Sequence, residues 1–169
     1  MAEAPVHDAD EQELESARAL AWRALNRRER STGELRRQLE GRAVQPEAVV
    51  AVLAELTERG YLDDERYARH FAEDRRRLDG WGPERIERRL RELGVGPEEI
   101  AAALAGRDPA EELVAARELL QRRSPGPLEG DRERDRALRL LVRRGYGLEL
   151  AHDAIRAHLA ASRHPGPSP

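Results

Sequence analysis

Every permanently charged cation in this chain is an arginine, because its 30 basic residues include no lysine. A guanidinium is a planar fork of donors that can hold a carboxylate or a phosphate at two points. Two stretches concentrate it. Arg75, Arg76 and Arg77 lead into a segment bearing Arg85, Arg88, Arg89 and Arg91. A second segment carries Arg132, Arg134, Arg136, Arg139, Arg143 and Arg144, opposed only by Glu133 and Asp135. The chemistry on offer is recognition of an anionic partner, either acidic protein surface or nucleic-acid phosphate. The plainer reading is a solvated, ion-paired helix face. Glu84 and Glu92 lie four residues either side of Arg88, and Arg75 to Arg77 fall where a helix carboxy end favours cations.

Other chemistries are excluded or unsupported. The absence of cysteine removes disulfides, thiolate metal sites and thiol nucleophiles. His7, His70, His152, His158 and His164 have no metal-ligand spacing. A phosphate-binding glycine loop ending in lysine is impossible without lysine, and Asp63-Asp64 needs no catalytic account. The expectation is a non-catalytic protein without cofactor or metal. Trp81, beside Gly82, could stack on a base or pack at a helix junction, whereas Trp22 reads as core. A net charge of −3 argues against a protein that simply coats nucleic acid, without excluding a local basic surface. No apolar stretch approaches the roughly 20 residues needed to cross a bilayer, and the acidic amino terminus lacks the order of a secretory signal. A cytoplasmic protein is expected.

The elements that must carry these residues are helical. Hydrophobic residues make up 39% and aromatics only 4%, so Leu, Ala, Val and Ile must fill the core; such a composition favours helices. A shift of 51 residues aligns Leu35, Ile86 and Ala137, then Leu39, Leu90 and Leu141, then Val44, Val95 and Tyr146. Glu47, Glu98 and Glu149 follow, as do Leu53, Leu104 and Ile155. Ser31 to Glu34 reads as a capping box. Pro46, Pro83, Pro97 and Pro109 mark first helical positions. Gly60, Gly94 and Gly145, each followed by an apolar residue, mark helix ends. The spacing predicts helices over 14–29, 32–41, 46–59, 64–78, 83–93, 97–105, 109–123, 132–144 and 148–161. The expected architecture is all-α: three tandem three-helix repeats in an elongated, curved array. They cover 14–62, 63–107 and 108–161, with an exposed Pro/Gly-rich loop at 124–130 and disordered tails at 1–13 and 162–169.

The stretch Gly60-Tyr-Leu-Asp-Asp-Glu-Arg-Tyr-Ala-Arg-His-Phe-Ala72 and the stretch Gly80-Trp-Gly-Pro-Glu-Arg-Ile-Glu-Arg-Arg-Leu-Arg-Glu-Leu-Gly-Val95 together resemble the core of the RecX family. The likeness extends more weakly over 17–62 and the last repeat. It implies tandem three-helix repeats and a regulator of the RecA recombinase. Such a regulator lies along the RecA filament on single-stranded DNA and lowers ATP hydrolysis, filament growth and strand exchange. It implies no catalytic residues. The matching positions Asp63, Asp64, Tyr67, Gly82, Pro83, Ile86, Leu90 and Gly94 read as caps, core and turns, and Phe71 joins Tyr67 in facing a core. Binding is therefore expected on the arginine-bearing faces. The partner is RecA's filament, with weak direct DNA contact as an addition and a monomer as the expected state. The competing readings are a helix-turn-helix-like protein that binds DNA directly and a generic helical adaptor.

Overall fold

The computed structural model describes residues 6–163 apart from 107, 125, 127 and 129, with side chains given from Asp10 to Ala161. Helices alone make up its regular structure: α1 (Val6–Leu25), α2 (Thr32–Glu40), α3 (Pro46–Glu58), α4 (Asp64–Asp79), α5 (Pro83–Glu92), α6 (Pro97–Leu104), α7 (Pro109–Arg123), α8 (Asp131–Arg144) and α9 (Leu148–Arg163). The chain divides into two compact units, Met1–Arg69 with Leu90–Ile100 and His70–Arg89 with Ala101–Pro169.

The first unit is built on α1, α2 and α3, which pack against one another. Ala17, Ala21 and Ala24 line one face of α1 and are buried, so their small side chains let neighbouring helices approach closely. Leu35 and Leu39 of α2 and Val49, Val52, Leu53 and Leu56 of α3 fill the remaining space, closed by Leu62. In the second unit α7, α8 and α9 pack together around Ala116, Leu119, Leu120, Ala137, Leu141, Ala151, Ala154 and Ile155. The period of 51 is written into the backbone as well. Val44, Val95 and Tyr146 donate their amides to the carbonyls of Leu39, Leu90 and Leu141, at 3.3, 3.1 and 3.1 Å. In each case the preceding residue is left-handed: Ala43, Gly94 and Gly145, at φ 57°, 80° and 87°.

Three details differ from the sequence expectations. Helix α1 begins at Val6 rather than residue 14 and stops at Leu25 rather than 29. Asp10, Glu11 and Glu13 lie in its amino-terminal half, where acids favour the helix dipole, and Glu13 anchors that half by accepting from the Gln45 amide at 2.9 Å. Its carboxy end is closed when Arg30 Nε donates to the Ala24 carbonyl at 3.2 Å. Helix α9 continues to Arg163, past the expected stop at 161; residues 1–5 and 164–169 lie outside the described residues. Leu128, expected in an exposed loop, is 3% exposed and belongs to the core of the second unit. A leucine among turn formers still gains about 2 kcal/mol by leaving water.

The middle helices of the first two repeats, α2 and α5, each meet the middle helix of the following repeat end to end. In the first unit the Ser31 hydroxyl donates to the Leu93 carbonyl at 2.5 Å, and Arg37 Nη2 donates to the Glu92 carbonyl at 3.0 Å. Gly33 faces Gly94 so closely that a Cβ on Gly33 would lie 2.7 Å from the Gly94 Cα. In the second unit the Gly82 amide donates to the Arg144 carbonyl at 2.7 Å and the Glu84 amide to the Gly145 carbonyl at 3.1 Å. Thus the amino end of α2 sits on the carboxy end of α5, and the amino end of α5 sits on that of α8. Each contact satisfies orphan carbonyls at a helix end, through side chains in the first unit and through orphan amides in the second, and aligns opposite dipole ends.

Candidate partner-binding surface

The arginines of α4 and the first half of α5 collect around one aromatic pair in the second unit. Phe71 meets Trp81 edge to face, with centroids 6.3 Å apart. Arg75 lies over both rings, at 5.2 Å from Phe71 and 5.5 Å from Trp81, and its Nη1 holds Asp79 Oδ2 at 2.6 Å. Arg85 lies closer to the Trp81 ring, at 4.2 Å, and donates from Nη1 to the Arg143 carbonyl at 2.9 Å. Two guanidinium groups therefore lie over the Trp81 ring, each attracted to its negative face. Arg77 pairs with Asp74 at 3.3 Å. Arg76 and Arg77 line a cleft of about 460 Å³ with Arg122 of α7, beside Glu73 and Glu118.

The sequence places Arg85, Arg88 and Arg89 on one flank. The structure separates their roles: Arg85 is half-buried and engaged at the α5–α8 junction, while Arg88 and Arg89 are exposed. Arg91, also exposed, belongs with the first unit. The family-motif residues do structural work. Asp63 Oδ1 accepts from the Arg66 amide at 2.8 Å and caps α4, whereas Asp64 Oδ1 accepts from the Thr32 amide at 2.8 Å. Tyr67 is 7% exposed and its hydroxyl donates to Glu34 Oε2 at 3.0 Å. Ile86 and Leu90 are fully buried, and Gly82, Pro83 and Gly94 sit at the junctions. Phe71 is only half-buried, since its ring belongs to the cation-bearing aromatic pair.

Helix α8 is different. Arg132, Arg136, Arg139 and Arg143 are all exposed, and their spacing of four, three and four residues places them in one stripe. Among the described residues none of the four is paired with a carboxylate, whereas Arg134, off the stripe, meets Asp131 at 3.6 Å. Arg144 turns away and donates to the Asp79 carbonyl, which makes it a junction residue. The carboxy end of the stripe lies where Arg85 reaches the Arg143 backbone, so α5 adds its cation there. Such a row fits an extended anionic surface, since each guanidinium is fixed by its helix and open to two-point contact. Among the described residues no group of three or more His, Asp and Glu could hold a metal ion, and no helix is long and apolar enough to cross a membrane.

The sequence misses the engagement of Arg85 and Arg144 in the junction. Each contact runs from a side chain to a backbone carbonyl, which every residue possesses. The available signal is the shift of 51, which puts Arg143 and Arg144 at the positions of Glu92 and Leu93.

Comparison with known proteins places these features among relatives. The family model for the first three-helix domain of RecX matches residues 17–56, and that for the second three-helix domain matches 63–104. The chain is 40% identical over 146 residues to the regulatory protein RecX of Deinococcus radiodurans, covering 86% of this chain and 70% of that one. It is 39% identical over 157 residues to the regulatory protein RecX of Mycolicibacterium vanbaalenii, covering 88% and 85%. A crystal structure of a regulatory protein RecX aligns with a TM-score of 0.74 at 22% identity, over 88% of this chain and 74% of that one. That of RecX from Lactobacillus salivarius aligns with a TM-score of 0.75 at 15% identity, over 87% and 97%.

Proposed function

The chain belongs to the RecX family of regulatory proteins, and on that premise we propose that it regulates the RecA recombinase. It binds the RecA filament on single-stranded DNA and lowers ATP hydrolysis, filament extension and strand exchange, acting in the cytoplasm as a monomer. The observation that carries the reading beyond family membership is the stripe of Arg132, Arg136, Arg139 and Arg143, exposed and without a carboxylate partner among the described residues. A filament of protein on DNA offers an extended anionic surface for such a row, either acidic side chains or phosphates. Arg88 and Arg89 on α5 add to the candidate surface of the second unit, with Arg75, Arg76 and Arg77 of α4, while Arg91 is a separate candidate contact on the first unit. Arg85 and Arg144 contribute by holding the junction that carries it.

The test is the DNA-dependent ATP hydrolysis of the cognate RecA, titrated with this protein. The expected result is inhibition that grows with the ratio of this protein to RecA and saturates. An unchanged rate at every ratio, together with tight binding to bare duplex DNA that weakens steeply with salt, would favour direct DNA binding instead. The stripe on α8 is the feature that favours this second reading, because phosphates would satisfy it equally well.

A further inference from the structure

Charge is unevenly shared along this chain. Its 33 acids nearly balance its 30 arginines, so two copies repel each other little as wholes, and their local surfaces decide whether they meet. The first arginine is Arg18, preceded by Glu3, Asp8, Asp10, Glu11, Glu13 and Glu15. Cations gather instead on α8, in the exposed stripe that ends in Arg139 and Arg143. Val142, 44% exposed, adds an apolar side chain on the flank of that end.

The complement of this surface lies in the first unit. Between α1 and α3 runs a groove of about 530 Å³, lined by Asp10, Glu13 and Leu14 from α1 and by Gln45, Glu47, Ala48 and Ala51 from α3. Its apolar lining is Leu14, Ala48 and Ala51, and its charges are three carboxylates with no cation among them. Asp10 and Glu47 are exposed, and among the described residues neither has an ion pair. Glu13 engages one oxygen with the Gln45 amide and keeps the other. Arg18, one turn further along α1, is already held by Glu55 at 2.8 Å and Glu15 at 3.3 Å. Glu13 meets Gln45 and Arg18 meets Glu55, so α1 and α3 run in the same direction and present their amino ends together. A third helix laid antiparallel along them, with its basic carboxy end at those amino ends, matches both the charges and the dipoles. Helix α8, of 14 residues, and α3, of 13, are both about 20 Å long, so one can lie along the other.

We infer that this groove receives the carboxy half of α8 from a second copy of the chain. Arg139 and Arg143 meet Asp10, Glu13 and Glu47, and Val142 meets Leu14, Ala48 and Ala51. The association is weak and reversible, because its charges are exposed and screened by salt. It covers two arginines of the stripe and so withholds them from other anions, and the single chain remains the form that acts. That the anion withheld belongs to the RecA filament rests on the function proposed above, whereas the association itself does not.

Sedimentation velocity of the full chain alone tests it. In about 20 mM salt the average mass should climb with concentration from the micromolar to the millimolar range, and in about 500 mM salt it should return to that of one chain. Asp10→Arg with Glu47→Arg, and separately Arg139→Glu with Arg143→Glu, should each weaken association at least about tenfold and leave helical circular dichroism unchanged. Mixing the two variants should restore it, because the reversed groove fits the reversed stripe and the untouched groove fits the untouched stripe. A parent chain that stays monomeric in low salt, association that survives either reversal, or a mixture that fails to associate would overturn the inference. So would amide shifts at Leu14, Ala48 and Ala51 that require added RecA, which would give the groove to that protein instead. No RecA or DNA enters the sedimentation experiment, so its failure leaves the filament reading standing, and loss of that reading leaves the association standing.

Discussion

At the scale of single residues, the Glu34 carboxylate joins three partners. It accepts from Arg28 at 2.5 Å, from the Tyr67 hydroxyl at 3.0 Å and from the Ser31 amide at 3.4 Å. Burial pushes the Glu34 carboxyl up, but the hydrogen bonds from Arg28 and Tyr67, with the Arg28 charge, outweigh it and hold the group below the usual carboxylate range. Burial, together with the neighbouring Glu34 charge, pushes the Tyr67 phenol up to about 12. The signs give two limits of pH. A depressed carboxyl stabilises the fold above its unfolded pKa of 4.5 and loses that contribution as pH falls through the folded value. A raised phenol stabilises below its unfolded pKa of 10.0 and loses that contribution as pH climbs from there to about 12. Glu34→Gln should therefore lower stability at neutral pH by about 2 kcal/mol, and the difference from the parent chain should shrink in acid. Urea unfolding at pH 7 and pH 3 checks this; an equal loss at both would detach the network from the carboxylate charge. Ser31→Ala should cost about 1–2 kcal/mol by the same measurement, because the hydroxyl both caps α2 and reaches the Leu93 carbonyl.

At the scale of elements, helix α8 divides its arginines by direction. Ala137 and Leu141 face the core, Arg144 closes the junction, and the stripe from Arg132 to Arg143 faces solvent. Charge reversal on the stripe (Arg136→Glu with Arg139→Glu) should weaken binding to the RecA filament at least tenfold and leave helical circular dichroism unchanged, since these side chains touch no core. Unchanged filament binding would return the stripe to an ordinary solvated face. On α5 the expectation splits within one helix. Arg88→Glu should act on binding alone, whereas Arg85→Glu should also lower the melting temperature, because it removes the contacts with Trp81 and the Arg143 carbonyl. Paired melting curves and filament-binding isotherms separate the two effects.

At the scale of the molecule, each of the two compact units contains one end-to-end junction, and glycine makes that contact possible. Gly60 and Gly145 are both left-handed, at φ 74° and 87°, but a Cβ on Gly60 would meet nothing within 4 Å. Gly60→Ala should thus cost only backbone strain, about 1–2 kcal/mol. Gly145→Ala adds a collision with the backbone of Arg85 and should cost about 3 kcal/mol or more. Hydrogen exchange should report the second change as faster opening at Gly82 and Glu84, whose amides donate across the junction. Slow exchange retained at both amides would show that the junction survives the collision.

Much of this organisation is legible in the residues themselves. Ser31 and Glu34 specify a capping box, and Pro46, Pro83, Pro97 and Pro109 each open a helix. Gly60, Gly94 and Gly145 adopt the left-handed turns that their positions demand. These signals are local, set by backbone chemistry within one or two turns, so sequence alone determined the all-helical class and the period of 51. The extent of α1 was not local: residues 6–13 join the helix, and Glu13 answers the Gln45 amide across the fold. Leu128 likewise looks like loop until a core exists to receive it. The candidate surface divides the same way. Sequence supplied its arginines, but only tertiary structure decided that Arg85 and Arg144 hold a junction while Arg132, Arg136, Arg139 and Arg143 remain exposed. The physical reason is that a guanidinium accepts any carbonyl as partner, and carbonyls are identical along the chain until folding brings one within reach.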